Sequence, residues 1–155
     1  MKRTINLFTD VSEIAIFDTV CLKHRLNEPS DWPTITAEVL AEINKGNLIL
    51  IDVCQDGHYE LEIYQNEIFD EENILEVFIR CPSGRLYFGP GEMVTGDGVE
   101  PGVDLKHNLR GEFIHLPPGN FLISILKIDS KKFRVGISNC IKQTENSFVE
   151  VPIFV

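Results

Sequence analysis

The chain is 155 residues long, 43% hydrophobic and 25% charged, with 24 Asp and Glu against 14 Lys and Arg for a formal net charge of -10. A chain of that length buries about two thirds of the surface it exposes when unfolded, which fits a single globular domain over residues 1–155 and excludes a fibrous or disordered chain. Asn6, Thr9, Asp10, Ser12 and Glu13 interrupt the N-terminal apolar residues and no apolar run reaches the length of a membrane span, so no leader and no membrane insertion are expected and the implied location is cytoplasmic.

Two short strands ending in FDTVCL open the pattern. TAEVLAEINKGN, residues 36–47, then places Val39, Leu40 and Ile43 on one helical face, with Thr36 as N-cap and Gly46 as stop, and predicts one short α-helix over about residues 36–46. LILIDVC at 48–54 is continuously apolar, as in a central strand covered on both faces. HYELEIY alternates instead, setting Tyr59, Leu61 and Ile63 against Glu60 and Glu62. LEVFIRCPSGRLYF, two apolar runs around Cys81-Pro82-Ser83-Gly84, predicts a hairpin. From 89 to 108, GPGEMVTGDGVEPGVDLKHN is rich in glycine and carries Pro90 and Pro101, which predicts a long irregular loop of the kind that is functional or mobile. Past the Pro117-Pro118-Gly119-Asn120 turn, NFLISILKI at 120–128 predicts another central strand, and KKFRVGIS alternates Phe133, Val135 and Ile137 with Lys132, Arg134 and Gly136. The fold class is mainly β, an antiparallel β-sandwich with one short helix.

Nothing in this order of elements announces catalysis. There is no phosphate loop, no nucleophile elbow and no paired metal motif, so neither enzyme activity nor a cofactor is expected. His58, His107 and His115 could in principle join Asp56, Asp97 or Asp104 in an acid–base site, but no spacing selects one set. Cys21, Cys54, Cys81 and Cys140 are scattered and read as small buried hydrophobes rather than a disulfide framework. Cys21 with His24, and Cys54 with His58, each supply half of a zinc site whose other half is missing, so no metal is expected.

Charge is the remaining signal, and it is localised. Residues 56–112 hold thirteen acids against only Arg80, Arg85, Lys106 and Arg110. Within them YQNEIFDEENILEVF, residues 64–78, gathers Glu67, Asp70, Glu71, Glu72 and Glu76 with no base between them. A localised field of one sign steers a partner, whereas a diffuse one mainly aids solubility. Glu67, Asp70, Glu71 and Glu72, with Asp97 and Glu100 of the glycine-rich loop, are therefore the candidate partner-binding residues, set against the plainer account of a solvated face.

The order of elements also resembles the competence protein J family, small bacterial proteins typified by the inhibitor of the DNA-entry nuclease. The resemblance runs over roughly residues 4–130 and rests on FDTVCL, on Asp31-Trp32 before a helix closing in Ile43-Asn44-Lys45-Gly46, on the Asp56-Gly57 turn, and on Phe113, Leu116, Pro117, Gly119, Phe121 and Ile123. It implies a small acidic binding protein, a nuclease inhibitor or immunity-type protein, that blocks a basic nuclease or toxin by direct contact without touching nucleic acid itself. A carboxylate array suits that task because an enzyme that grips polyphosphate presents a positive groove. The alternative is a small-molecule or carbohydrate-binding β module, for which Trp32, Tyr59, Tyr64, Tyr87 and Phe88 would supply stacking surfaces.

Overall fold

The computed structural model describes residues 2–67, 69, 71–95, 99, 103–140 and 145–155. Nine strands occur among them: β1 (Lys2–Thr9), β2 (Glu13–Phe17), β3 (Ile49–Asp52), β4 (Gly57–Gln65), β5 (Leu75–Cys81), β6 (Arg85–Pro90), β7 (Glu112–His115), β8 (Gly119–Asp129) and β9 (Lys132–Asn139). They form a five-stranded sheet in the order β1-β4-β9-β8-β5 and a four-stranded sheet in the order β3-β2-β6-β7. Helix α1 (Thr36–Asn44) and 3-10 turns at Thr19–Arg25, Trp32–Thr34 and Gly91–Thr95 make a further layer.

Alternation explains how the layers stack. Ile5 and Leu7 of β1, Leu61 and Ile63 of β4, Val77 and Ile79 of β5, Ile123 and Ile125 of β8, and Val135 and Ile137 of β9 share one face of the larger sheet and meet Ile14, Ile16, Ile49, Ile51, Leu86 and Phe88 of the smaller one. The opposite face of the smaller sheet is apolar as well. Ala15, Phe17, Leu50 and Tyr87 bury there against Leu22, Trp32, Val39, Ile43, Met93 and Val94 of the helical layer. The outer face of the larger sheet is polar, as a sheet with one solvated side requires.

The structure departs from the sequence expectations in four places. β4 and β9 run parallel, with Leu61 beside Phe133 and Ile63 beside Val135, so the larger sheet is mixed; period-two alternation is the same whichever way the neighbour runs. LEVFIRCPSGRLYF is an arch rather than a hairpin, because β5 pairs with β8 in one sheet and β6 with β2 and β7 in the other. Val77, Ile79 and Cys81 thus face Leu86 and Phe88 across the core, where a hairpin would put them side by side. Gly84 turns the arch with φ +76°, and its position leaves no room for a Cβ against the Leu116 carbonyl. β3 is an edge strand, not a central one; its outer side meets the C-terminal segment, where Asp52 N–H donates to Pro152 O and Phe154 N–H donates to Asp52 O, each at 2.9 Å. Finally, the stretch from 89 to 108 begins with the end of β6 and the Gly91–Thr95 turn, whose Met93 and Val94 are buried. The predicted helix forms, with Thr36 as its first residue and Ile35 in the capping position without a side-chain bond.

Single contacts cover parts of the sheet edges. Asn146 caps the free edge of β5, its side chain accepting from Phe78 N–H and donating to Phe78 O at 2.9 Å each, and Arg80 N–H reaches Gly46 O at 2.8 Å. On the other side Phe8 N–H donates to Leu109 O at 2.9 Å, while Arg3 pairs with Glu112 at 2.7 Å.

Candidate functional site

Two places gather carboxylates, one on each sheet. On the outer face of the larger sheet Glu62 lies almost fully buried among cations, 2.7 Å from Lys2, 3.1 Å from Arg134 and 3.6 Å from Lys132. Its carboxyl is held down at about 2, first by the hydrogen bond from Lys2, against the opposing effect of burial. Lys132 is shared with Glu60 at 3.1 Å. The YQNEIFDEENILEVF stretch leaves β4 beside this network. Asn66 N–H donates to Ile137 O at 2.7 Å, the Phe69 ring meets Tyr64 edge-on at 5.8 Å, and both Glu67 O and the Phe69 ring lie over Gly136, where a Cβ would come within 2.7 Å of that oxygen. A side-chain-free position on β9 thus seats the stretch on the sheet.

Glu67, Glu71 and Glu72 are exposed there, and no salt bridge among the described residues uses them. Asp70, Asp97 and Glu100 lie outside the described residues. One base does approach in space, since Glu71 contributes to raising the Arg134 guanidinium pKa, after the larger effect of Glu62. The acids of the stretch therefore border a basic patch that Glu60 and Glu62 largely neutralise.

The second place is not anticipated by the sequence reading. Glu13 at the start of β2 and Asp52 at the end of β3 are direct cross-strand partners, on the face of the smaller sheet that carries Ala15, Phe17 and Leu50. Glu92, on the turn after β6, joins them along a groove of about 620 Å³ whose other walls include Val11, Pro33, Thr34, Thr36, Val39, Leu50, Val94 and Val151. Directly opposed like charges destabilise a ladder, and no salt bridge among the described residues reaches any of the three acids. Burial, then Asp52, then Glu92 push the Glu13 carboxyl up to about 7. Glu92 is also raised, mainly by burial and then by Asp10, although Thr9 Oγ1 and Asp10 N–H donate to it at 2.8 and 2.9 Å. A readable signal existed: the alternation of β2 puts Glu13 on the same side as Ala15 and Phe17, a carboxylate on an apolar face.

A third acid is structural. Glu42 of α1 is fully buried and accepts from His24 at 2.7 Å, Arg25 at 2.8 Å and Asn47 at 2.9 Å. Burial alone would raise its carboxyl, but the bonds from Asn47, His24 and Arg25 outweigh that and hold it below the ordinary carboxylate range. The Arg25 guanidinium also lies 4.8 Å from the centre of the Trp32 ring. His24 and Cys21 are thereby committed apart, Cys21 being buried with its thiol pushed up to about 11, chiefly by desolvation. Cys81, buried likewise, is pushed up to about 12, whereas the Cys54 thiol is exposed.

The histidines do not assemble an acid–base site among the described residues. His58 stacks edge-on with Phe8 at 5.0 Å, the His107 N–H bonds Asp104 at 3.2 Å, and His115 sits on edge strand β7 opposite Arg85. No group of three or more His, Cys, Asp or Glu among the described residues is arranged to hold a metal ion. No described helix is long and apolar enough to cross a membrane.

A mixed five-stranded sheet, a four-stranded sheet and a helical cover define a β-sandwich of the ComJ type. Two solved structures share it over most of their length: the protein described as crocagin biosynthetic gene J (15% identity, TM-score 0.53, 89% of this chain and 95% of that one) and ComJ from Bacillus subtilis, described as an inhibitor of the DNA degrading activity of NucA (10% identity, TM-score 0.52, 89% and 96%). No curated protein matches the sequence. The chain belongs to the family of unknown function DUF6386, whose profile matches residues 1–152.

Proposed function

We propose that this chain is a non-catalytic binding protein that inhibits a basic protein partner, a nuclease or toxin, by direct contact. The observation that carries the reading is the exposure of Glu67, Glu71 and Glu72 on a stretch seated firmly against the larger sheet, with no salt bridge to them among the described residues. Acids held in place but left in water gain most when a positive surface arrives. The likeness in fold to a nuclease inhibitor supports the same reading. Asp70 belongs to the proposed face by sequence, and Asp97 and Glu100 are proposed to extend it.

The rival small-molecule reading loses its stacking platforms, because Trp32, Tyr59, Tyr87 and Phe88 are buried in the core and Tyr64 is engaged by Phe69. In the test, a basic nuclease captured from the source cell is titrated with this protein while DNA cleavage is followed. Cleavage should stop near one equivalent. Neutralising the stretch (E67Q, D70N, E71Q and E72Q together) should slow association, most strongly at low salt, with Tm nearly unchanged, since charges at an interface rim act mainly by steering. Undiminished cleavage at large excess of the protein rejects inhibition; identical association rates and salt slopes reject the face.

A further inference from the structure

We propose that the groove over the smaller sheet receives an arginine-bearing loop of the protein partner, the arginine stem lying along the apolar floor and its guanidinium on Glu13, Asp52 and Glu92. The assignment rests on the inhibitor reading only in assuming a basic partner, and it concerns a different surface from the acidic stretch.

The groove is shaped for an amphipathic cation. Val39, Leu50 and Val94 form a buried apolar floor, and Val151 of the C-terminal segment adds to the wall. Val11 on the rim is exposed, as is Ile35 between the lining threonines Thr34 and Thr36. A concave site with an apolar floor, an apolar rim and few convergent polar groups has the make-up of an interface pocket that takes one anchor side chain. Its charge decides which anchor. The carboxylates come from three separate elements, Glu13 from β2, Asp52 from β3 and Glu92 from the turn after β6. Several other buried or half-buried acids are met by bases, Glu42 by Arg25 and His24, Glu62 by Lys2, Arg134 and Lys132, Glu112 by Arg3, and the fully buried Asp18 is satisfied by the Val20 and Ser83 N–H groups. The three groove acids converge with no cationic partner among the described residues. A guanidinium suits them better than an ammonium, because its planar fork can bond two carboxylates at once while its stem covers apolar surface.

Charge complementarity also fixes a pH dependence. The groups facing Glu13 are Asp52 from β3 and Glu92 from the turn, with Asp10 behind Glu92; all are acidic. In the empty groove Glu13 gives up its proton only near pH 7. A bound guanidinium favours the carboxylate and lowers that value, so binding releases a proton and strengthens as pH rises through about 7.

The probe is N-acetyl-arginine methylamide, titrated into isotopically labelled full-length protein and followed by NMR, with the citrulline and lysine analogues as controls. Expected are saturable shifts of the Val39, Leu50, Val94 and Val151 methyl signals with a dissociation constant on the order of 1 mM, as a ligand this small allows. Binding should weaken roughly tenfold in the isosteric double variant Glu13→Gln, Glu92→Gln, and again in the unmodified protein as pH falls below 7. The citrulline analogue should leave the groove signals unmoved. Absence of saturable groove shifts, equal shifts with citrulline, a preference for lysine, or unchanged binding in the folded double variant each overturn the assignment. The two proposals fail separately: probe binding without any inhibited partner leaves the groove standing and removes the inhibitor, whereas a partner inhibited equally by the double variant does the reverse.

Discussion

Glu62 and Glu13 are the same residue type, each on the outward face of a sheet and each crowded by other charges, yet their surroundings have opposite sign. Around Glu62 stand Lys2, Lys132 and Arg134; around Glu13 stand Asp52 and Glu92. One carboxyl is pulled down to about 2 and the other pushed up to about 7. The contrast separates an acid that holds the fold together from one that the fold tolerates. A carboxylate already supplied with cations has little left to offer a partner, while one kept among its own kind beside an open groove has nearly all of its binding capacity unspent.

The strongest test of that distinction uses Glu42, the most deeply satisfied acid. Glu42→Ala leaves Arg25, His24 and Asn47 without their common acceptor and should cost about 3 kcal/mol in urea denaturation, as stranding the partners of a buried ion pair does. A cost near that of a surface substitution would break the comparison. The buried-aromatic benchmark is similar in size: Phe121→Ala, in the core beside the Gly119 turn, should cost on the order of 3 kcal/mol or more.

Glu62→Gln comes next, at about 1.5 kcal/mol near pH 7, because its partners remain half exposed and can return to water. Its folded pKa lies below the unfolded value, so this contribution is fully present above pH 4.5 and fades as pH falls toward about 2. Melting wild type and variant across that range should bring the two curves together in acid.

Glu13→Gln should act in the other direction and more weakly. Its folded pKa is raised, so the native state binds the proton more tightly than the unfolded chain, and stability attributable to Glu13 is present below pH 4.5 and lost as pH rises through about 7. The variant should match wild type near pH 5 and melt about 3 °C higher at pH 8, the scale of roughly 1 kcal/mol in a chain of this size. A variant less stable at pH 8 would mean that Glu13 has a cationic partner after all.

How far the sequence carried these inferences depends on the distance over which each feature is decided. Local alternation was enough for β4 and β9, a continuous apolar run for β8, and helical spacing with a closing glycine for α1. The exposure of Glu67, Glu71 and Glu72 followed from like charges avoiding burial. The Cys81–Gly84 turn was readable as a turn, but whether it joins neighbours in one sheet or carries the chain between two depends on which strands claim β5 and β6, and those are β8, β2 and β7. The groove lay furthest out of reach. Glu13 meets Asp52 only through the β2–β3 register, and Glu92 joins them only because β6 lies against β2; no window of sequence contains all three.

The parallel pairing of β4 with β9 has a consequence for the order of assembly. β9 lies between β4 and β8, so the halves β1-β4 and β8-β5 of the larger sheet have no shared neighbour until the chain has been made as far as Asn139. Pairing residues so distant in sequence is slow, since the intervening loop must close before any contact rewards it. The stretch that begins at Tyr64 rests on the same late strand through Ile137 and Gly136. A chain that lacks β9 therefore carries these acids without the strand on which Asn66, Glu67 and Phe69 rest.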